Sequence, residues 1–389
     1  MSTLELNPTP FPWREGNRFR LLIDGDQFFP PMLDAIAAAQ SYILLEMYLM
    51  ESGAVTTRFI AALRAAADRE VTVTILLDDF GSIRLHRADR ERLQHANIRV
   101  RYYNRLRYRK LQRNFARNHR KLLLVDGRIA FVGGAGITDE FDPPVHPERR
   151  WRETMVAIEG PVVADWHALF RGTWNHMADG DLPPYPNTDA PEVGDLRGRV
   201  NFSRGILHAE IKRTAISRIR HAQYRVWLAT AYFVPSMKLR RALRRAVRRG
   251  VDVRLLLPGD HTDLPAVRHA GRRFYRRLLR HGVRIFEFQP RFTHSKVLLC
   301  DDWTSVGSSN LDRWTLRWNL EANQEVDDEG FSDQVYGMLK QDFRQSREYF
   351  YREWANRPWY RRWKEDFWGW VAVLSERLFR QSPPRRPRE

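Results

Sequence analysis

At 389 residues, with 43% hydrophobic and 12% aromatic side chains, the chain exceeds what one core ordinarily supports and holds too much apolar material to be disordered as a whole. Its formal net charge of +18 calls for an anionic partner: nucleic acid, an anionic membrane or a phosphorylated substrate. The single cysteine, Cys300, excludes an intrachain disulfide and a cysteine-based zinc site, and the absence of any run of roughly 18 apolar residues argues against a spanning helix.

Met1–Arg20 lacks the apolar segment of a signal peptide. The spacing then predicts an amphipathic helix over Pro31–Gln40, a strand over Tyr42–Met50, a helix over Thr57–Asp68 and an apolar strand over Val71–Leu77. A short strand, Ile98–Tyr103, leads through the basic stretch Asn104–Asn118 into His119–Asp126. The linker chemistry of Asp179–Gly198, where Pro183, Pro184, Pro186, Asn187 and Pro191 crowd together, predicts a boundary.

Beyond it the same order returns: a helix over His208–His221, a strand over Tyr224–Val234, a helix over Lys238–Arg249, strands over Val251–Leu257 and Val283–Phe288, then His294–Asp301. The chain is thus read as 1–178, a linker 179–198, a second half 199–346, and a tail 347–389. Strands alternating with helices at these lengths imply two fused, internally duplicated α/β/α units with mixed, largely parallel sheets. Cys300 is read as a small core residue, and His261 and His269 as incidental.

The chemistry sits in the repeated motif. His119-Arg120-Lys121 is followed by an apolar run, Asp126 and Gly133-Gly134; His294-Ser295-Lys296 by an apolar run, Asp301 and Gly307-Ser308. On a strand, residues i and i+2 share a face, so each histidine and its lysine look into one cleft, while Asp126 and Asp301 fall on the opposite face and fix the strand end.

These paired H-x-K-x4-D motifs resemble the phospholipase D superfamily, and from about Trp13 to Asn323 the chain is similar to bacterial cardiolipin synthases of the short type that lacks N-terminal spanning helices. Trp13–Asn17, Leu44-Leu45-Glu46, Gly307–Asp312 and Asn319–Asn323 support this. The resemblance implies catalytic residues His119, Lys121, Asp126, His294, Lys296 and Asp301, with His119 the nucleophile and His294 the acid. It implies binding residues Asn310 and Ser308, with Glu153 and Glu321, each downstream of one motif, as the acids that orient the imidazoles. No metal or other cofactor is expected, the lysines neutralising the phosphoryl oxygens instead.

The implied reaction moves a phosphatidyl group from phosphatidylglycerol to a second phospholipid through a phosphohistidine, releasing glycerol. A phospholipase D-type hydrolase, or a nuclease drawn by the same +18 charge, is the alternative. Two departures stand out: one residue fewer than usual separates Asp301 from Gly307, and Gly136 stands where the first half would carry an asparagine amide. Trp354, Trp359, Trp363, Trp368 and Trp370 among arginines and lysines suggest an interfacial tail, so the expected location is the cytoplasmic face of the membrane, held peripherally.

Overall fold

A computed structural model describes residues 10–105, 116–177, 182, 185, 190–204, 208–312, 318–358 and 367. Most of the basic stretch Asn104–Asn118, much of the expected linker, and Trp359, Trp363, Trp368 and Trp370 lie outside these residues.

In the first half the strands are β1 (Arg14–Ile23), β2 (Tyr42–Met47), β3 (Thr72–Asp78), β4 (Ile98–Tyr103), β5 (Lys121–Val125), β6 (Ile129–Gly133) and β7 (Thr154–Glu159). In the second they are β8 (Leu196–Arg204), β9 (His208–Ala209), β10 (Arg225–Ala229), β11 (Asp252–Pro258), β12 (Arg284–Phe288), β13 (Val297–Cys300), β14 (Trp303–Gly307), β15 (Leu320–Asp327) and β16 (Ser346–Tyr349).

The mixed α/β architecture agrees with the sequence, but among the described residues parallel pairing between strands is confined to β2-β3-β4 and β10-β11-β12. The remaining strand pairs are antiparallel, some between neighbours in the chain and others between strands far apart in it, so "largely parallel" does not describe the sheet. Nor are there two sheets: β1 pairs with both β7 and β8, and β8 with β15, so the halves share one continuous sheet. The repeat was legible through its apolar parallel strands, buried on both faces. The joining strands β1 and β8 mix arginines with apolar residues and carry no comparable signal.

Among the described residues three apolar clusters fill the layers. Two are local, one beneath the helices Gly25–Ala38 and Ala54–Asp68, the other beneath Glu210–His221 and Met237–Arg248. The third is common to both halves, with Trp166 and Phe170 meeting Phe202, Trp227 and Leu339. Because that burial belongs to neither half alone, the halves are held in fixed register. The expected tail begins inside the fold: β16 pairs with β12, and Trp354 is buried against Tyr275 and Tyr349. Trp354 is a core residue, a correction to the interfacial reading.

Both motif strands end alike. Asp126 takes a positive φ of 53° and Asp301 one of 52°, a left-handed turn that aspartate tolerates better than most residues. The Asp126 carboxylate accepts from the backbone N–H groups of Gln40, Ser41 and Tyr42; Asp301 accepts from those of Gln223, Tyr224 and Arg225. Each aspartate therefore clamps the helix-to-strand turn that starts the neighbouring parallel strand.

The residue missing after Asp301 is taken from this turn. Val125 pairs with Ile129 across a three-residue connection, Asp126–Arg128, whereas Cys300 pairs directly with Trp303 across Asp301-Asp302. Leu122↔Val132 and Val297↔Val306 keep the same register, so the shortening stays at the end of the sheet away from the histidines.

Candidate active site

The segments that carry the histidines pair with strands of the opposite half. His119 N–H donates to the Leu320 carbonyl at 2.9 Å, and Leu320 N–H to the Arg117 carbonyl at 2.8 Å. In the mirror arrangement His294 N–H donates to the Arg152 carbonyl at 2.7 Å, and Arg152 N–H to the Phe292 carbonyl at 2.8 Å. One residue beyond each contact stands a glutamate.

The result is a reciprocal exchange. His119 Nδ1 lies 3.0 and 3.1 Å from the two carboxylate oxygens of Glu321, and His294 Nδ1 lies 2.6 Å from Glu153 Oε2. Each acid thus serves the histidine of the other half, although each follows its own half's motif in sequence. Bonding at Nδ1 fixes the ring and leaves Nε2 as the nitrogen for chemistry. Both glutamates are fully buried and held by further donors: Thr154 N–H to Glu153 at 2.8 Å, and the Ser308 hydroxyl to Glu321.

Lys121 Nζ donates to the His119 carbonyl at 2.6 Å and sits 5.0 Å from the centre of the Tyr48 ring. Lys296 Nζ donates to the His294 carbonyl and lies 3.4 Å from Glu153. Burial pushes the Lys121 ammonium down to about 7 against the pull of Glu321, and pushes the Glu153 carboxyl up to about 7 against the pull of Lys296. Burial also lowers both histidines, helped at His294 by the charges of Lys296, Lys121 and His119 and opposed at His119 by Glu321. Both rings are therefore biased towards the neutral form, and each feels the charges of both lysines.

Asp126 and Asp301 are not brought to this cluster, since their strands run away from it; they do not touch a reacting group. Ser308, one of the two expected binding residues, has its hydroxyl donating to Glu321 and accepting from Ala322 N–H at 3.1 Å. It positions a carboxylate. Asn310 differs: its Oδ1 accepts from Thr230 Oγ1 at 3.0 Å, while its buried Nδ2 has no partner. That orphan donor suits an anionic oxygen.

A Cβ at Gly136 would stand 2.6 Å from the Leu49 carbonyl oxygen, so the first half has no room for an asparagine there. A Cβ at Gly134 would stand 2.2 Å from Glu153 Oε2; the glycine makes the space the carboxylate fills.

Several residues escaped the sequence reading. The Tyr48 ring is 4.6 Å from His119, and Trp151 and Tyr232 stand 5.3 and 6.3 Å from His294. Asp78 accepts from Asn118 N–H at 2.9 Å and so fixes the residue before His119. Arg152, before Glu153, is anchored by a 3.1 Å ion pair to Asp342. The adjacency of Trp151 and Arg152 to Glu153, and of Asp78 to the end of an apolar strand, were the available signals. Among the described residues no group of three or more histidine, cysteine or acidic side chains could hold a metal ion.

A family model described as cardiolipin synthase, PLD-like domain, matches residues 32–174 and 215–345. The chain is 35% identical to cardiolipin synthase B of Salmonella typhi, over 96% of this chain and 95% of that protein. It is 36% identical to cardiolipin synthase A of Pseudomonas aeruginosa (strain LESB58), over 88% and 70%. In fold it is similar to the phosphatidylserine synthase of Haemophilus influenzae Rd KW20, with a TM-score of 0.69 at 14% identity over 96% and 97% of the two chains. The polyphosphate kinase of Porphyromonas gingivalis gives a TM-score of 0.57 at 17% identity, over 83% and 46%.

Proposed function

The chain belongs to the phospholipase D-like family of cardiolipin synthases and is a phosphatidyltransferase of that superfamily, and from this premise we propose that it moves a phosphatidyl group from phosphatidylglycerol to the hydroxyl of a second phospholipid, releasing glycerol. The observation that carries the reading is the reciprocal pairing of His119 with Glu321 and His294 with Glu153, which aims two imidazoles into one lysine-lined site.

A phosphodiester resists attack because its oxygens are anionic; Lys121, Lys296 and the Asn310 amide neutralise and hold them. His119 Nε2 attacks phosphorus, and the bond from phosphorus to the glycerol oxygen breaks as protonated His294 gives that oxygen its proton. The bound anion lets His294 hold a proton that its surroundings otherwise strip away, so the proton passes readily to the leaving group. In the second step the acceptor hydroxyl gives its proton to His294, its oxygen takes the phosphatidyl group, and the phosphorus–nitrogen bond of His119 breaks. The ester's energy is conserved in that bond, so no nucleotide is consumed. Glu321 and Glu153 steady the positive charge that each ring acquires.

Location at the cytoplasmic face of a membrane, held peripherally, belongs to the same proposal. No helix of the described residues is long and apolar enough to cross a membrane. The test is purified protein with phosphatidylglycerol vesicles, lipid products resolved by mass spectrometry, and plasmid DNA in parallel. Diphosphatidylglycerol with stoichiometric glycerol is expected, unaffected by EDTA. Phosphatidic acid alone would make the protein a hydrolase, and nicked DNA without lipid products a nuclease.

A further inference from the structure

A single apolar side chain exposed to water is ordinary, but a group of them gathered at one end of a sheet is not, and in this chain their placement is uneven. Eight stand exposed among the described residues: Phe80, Ile83, Val145, Tyr224, Met237, Leu264, Phe350 and Phe367. The first three, Met237 and Leu264 lie on connections that follow β3, β6, β10 and β11.

The sheet fixes where those connections are. Met47, the last residue of β2, pairs with Lys121, the first of β5, and Ala229, the last of β10, pairs with Val297, the first of β13. The carboxyl ends of the parallel strands therefore surround the histidines, which stand just before β5 and β13. Local contacts agree. Asn118 N–H reaches Asp78 two residues before Phe80, and Tyr232, beside His294, donates its hydroxyl to Asp263, next to Leu264. Tyr224 and Phe350 stand at the opposite end, before β10 and after β16.

We infer that this apolar rim, with Ile83 and Leu264 contributed by opposite halves, is the surface that inserts into an anionic phospholipid bilayer and presents the catalytic cleft to it. Ile83 is 64% exposed and Val145 67%, so both are free to enter an acyl layer without unfolding anything. Arg84, Arg149 and Lys238 stand exposed on the same connections, where an inserted rim would bring them to anionic headgroups. Glu148 and Asp260 are there too, so apolar insertion sets the orientation while the +18 charge of the chain supplies long-range attraction. The surface deepens the phosphatidyl-transfer reading and rests on it for the direction from which substrate arrives.

The experiment compares the full chain with Ile83→Ser/Leu264→Ser and with Tyr224→Ser/Phe350→Ser from the opposite end. Sedimentation with vesicles of equal phosphatidylglycerol and phosphatidylcholine measures binding, and monomeric dihexanoyl phosphatidylglycerol measures turnover without a surface. The rim variant is expected to lose about tenfold in vesicle partition and in turnover on vesicles, with turnover of the short-chain lipid unchanged; the opposite-end variant matches the parent. Equal vesicle binding by the rim variant and the parent, or equal losses in both variants, overturns the assignment. Should the parent fail to turn over the short-chain lipid while rim-dependent binding persists, the surface stands and the transfer reading falls.

Discussion

Glu153 and His294 belong to opposite halves of the chain, 141 residues apart, and a carboxylate oxygen of one lies 2.6 Å from Nδ1 of the other. Glu321 and His119 form the counterpart across 202 residues. Neither His119 nor His294 is paired with a carboxylate of its own half, so each of the two proposed catalytic pairs exists only where the halves share the sheet.

Glu153→Gln and Glu321→Gln keep the shape of each contact and remove the charge that steadies the imidazolium. Each is expected to lower kcat by about 10²–10³-fold, the scale of general acid–base assistance, while the thermal melt stays near that of the parent. Turnover on phosphatidylglycerol vesicles alongside circular dichroism checks this; near-parental kcat in either variant would mean that the carboxylates do not act through the rings.

The two motif aspartates are expected to behave differently. Asp126→Asn and Asp301→Asn each weaken a carboxylate that takes three backbone N–H groups at a turn. A stability loss of about 1–3 kcal/mol is expected in urea titrations, with kcat of the folded fraction within about threefold of the parent. A large fall in kcat without loss of stability would assign them to the reaction after all.

Ser308→Ala separates positioning from substrate binding. Its hydroxyl holds Glu321, so its loss should reduce kcat about tenfold and leave KM nearly unchanged. A raised KM at constant kcat would instead place the hydroxyl on the phosphate.

The motif and its duplication were legible because His-x-Lys before an apolar run is a local pattern that can be matched to itself. The exchange of Glu153 and Glu321 was not. Each lies downstream of its own motif, and only the bridges Asn118↔Leu320 and Arg152↔Thr293, pairings between residues more than a hundred positions apart, carry it to the other histidine. Ser308 illustrates the same limit: a hydroxyl beside a catalytic motif reads as a phosphate donor until the buried carboxylate beside it is known. Strand alternation set Asp126 and Asp301 apart from the histidines, but both lie one residue beyond their strands at positive φ, and it is this turn that directs their carboxylates onto the neighbouring strand's start. Trp354 was misread because its arginine neighbours suggested an interface, whereas Arg272 and Arg357 stack on its ring around a buried position.

The pH profile follows from Lys121. Burial lowers its pKa to about 7, so in the free protein it is charged below that pH and loses its proton as pH rises through it. In the proposed mechanism it is the charged form that holds the phosphoryl oxygens, so kcat/KM should fall on the alkaline side of about pH 7. The limb in kcat should lie higher, since bound phosphodiester favours the ammonium. Lys121→Arg keeps its charge and should lose the limb in kcat/KM; an unchanged limb would trace it to another group.

The most direct test is a rapid alkaline quench of the protein mixed with phosphatidylglycerol, followed by peptide mapping for a phosphatidyl adduct. A site in which two imidazoles serve one phosphorus predicts the adduct on His119, none in His119→Ala, and no diphosphatidylglycerol from either His119→Ala or His294→Ala. Substantial lipid transfer by either single-histidine variant, or an adduct on a residue outside the pair, would contradict it.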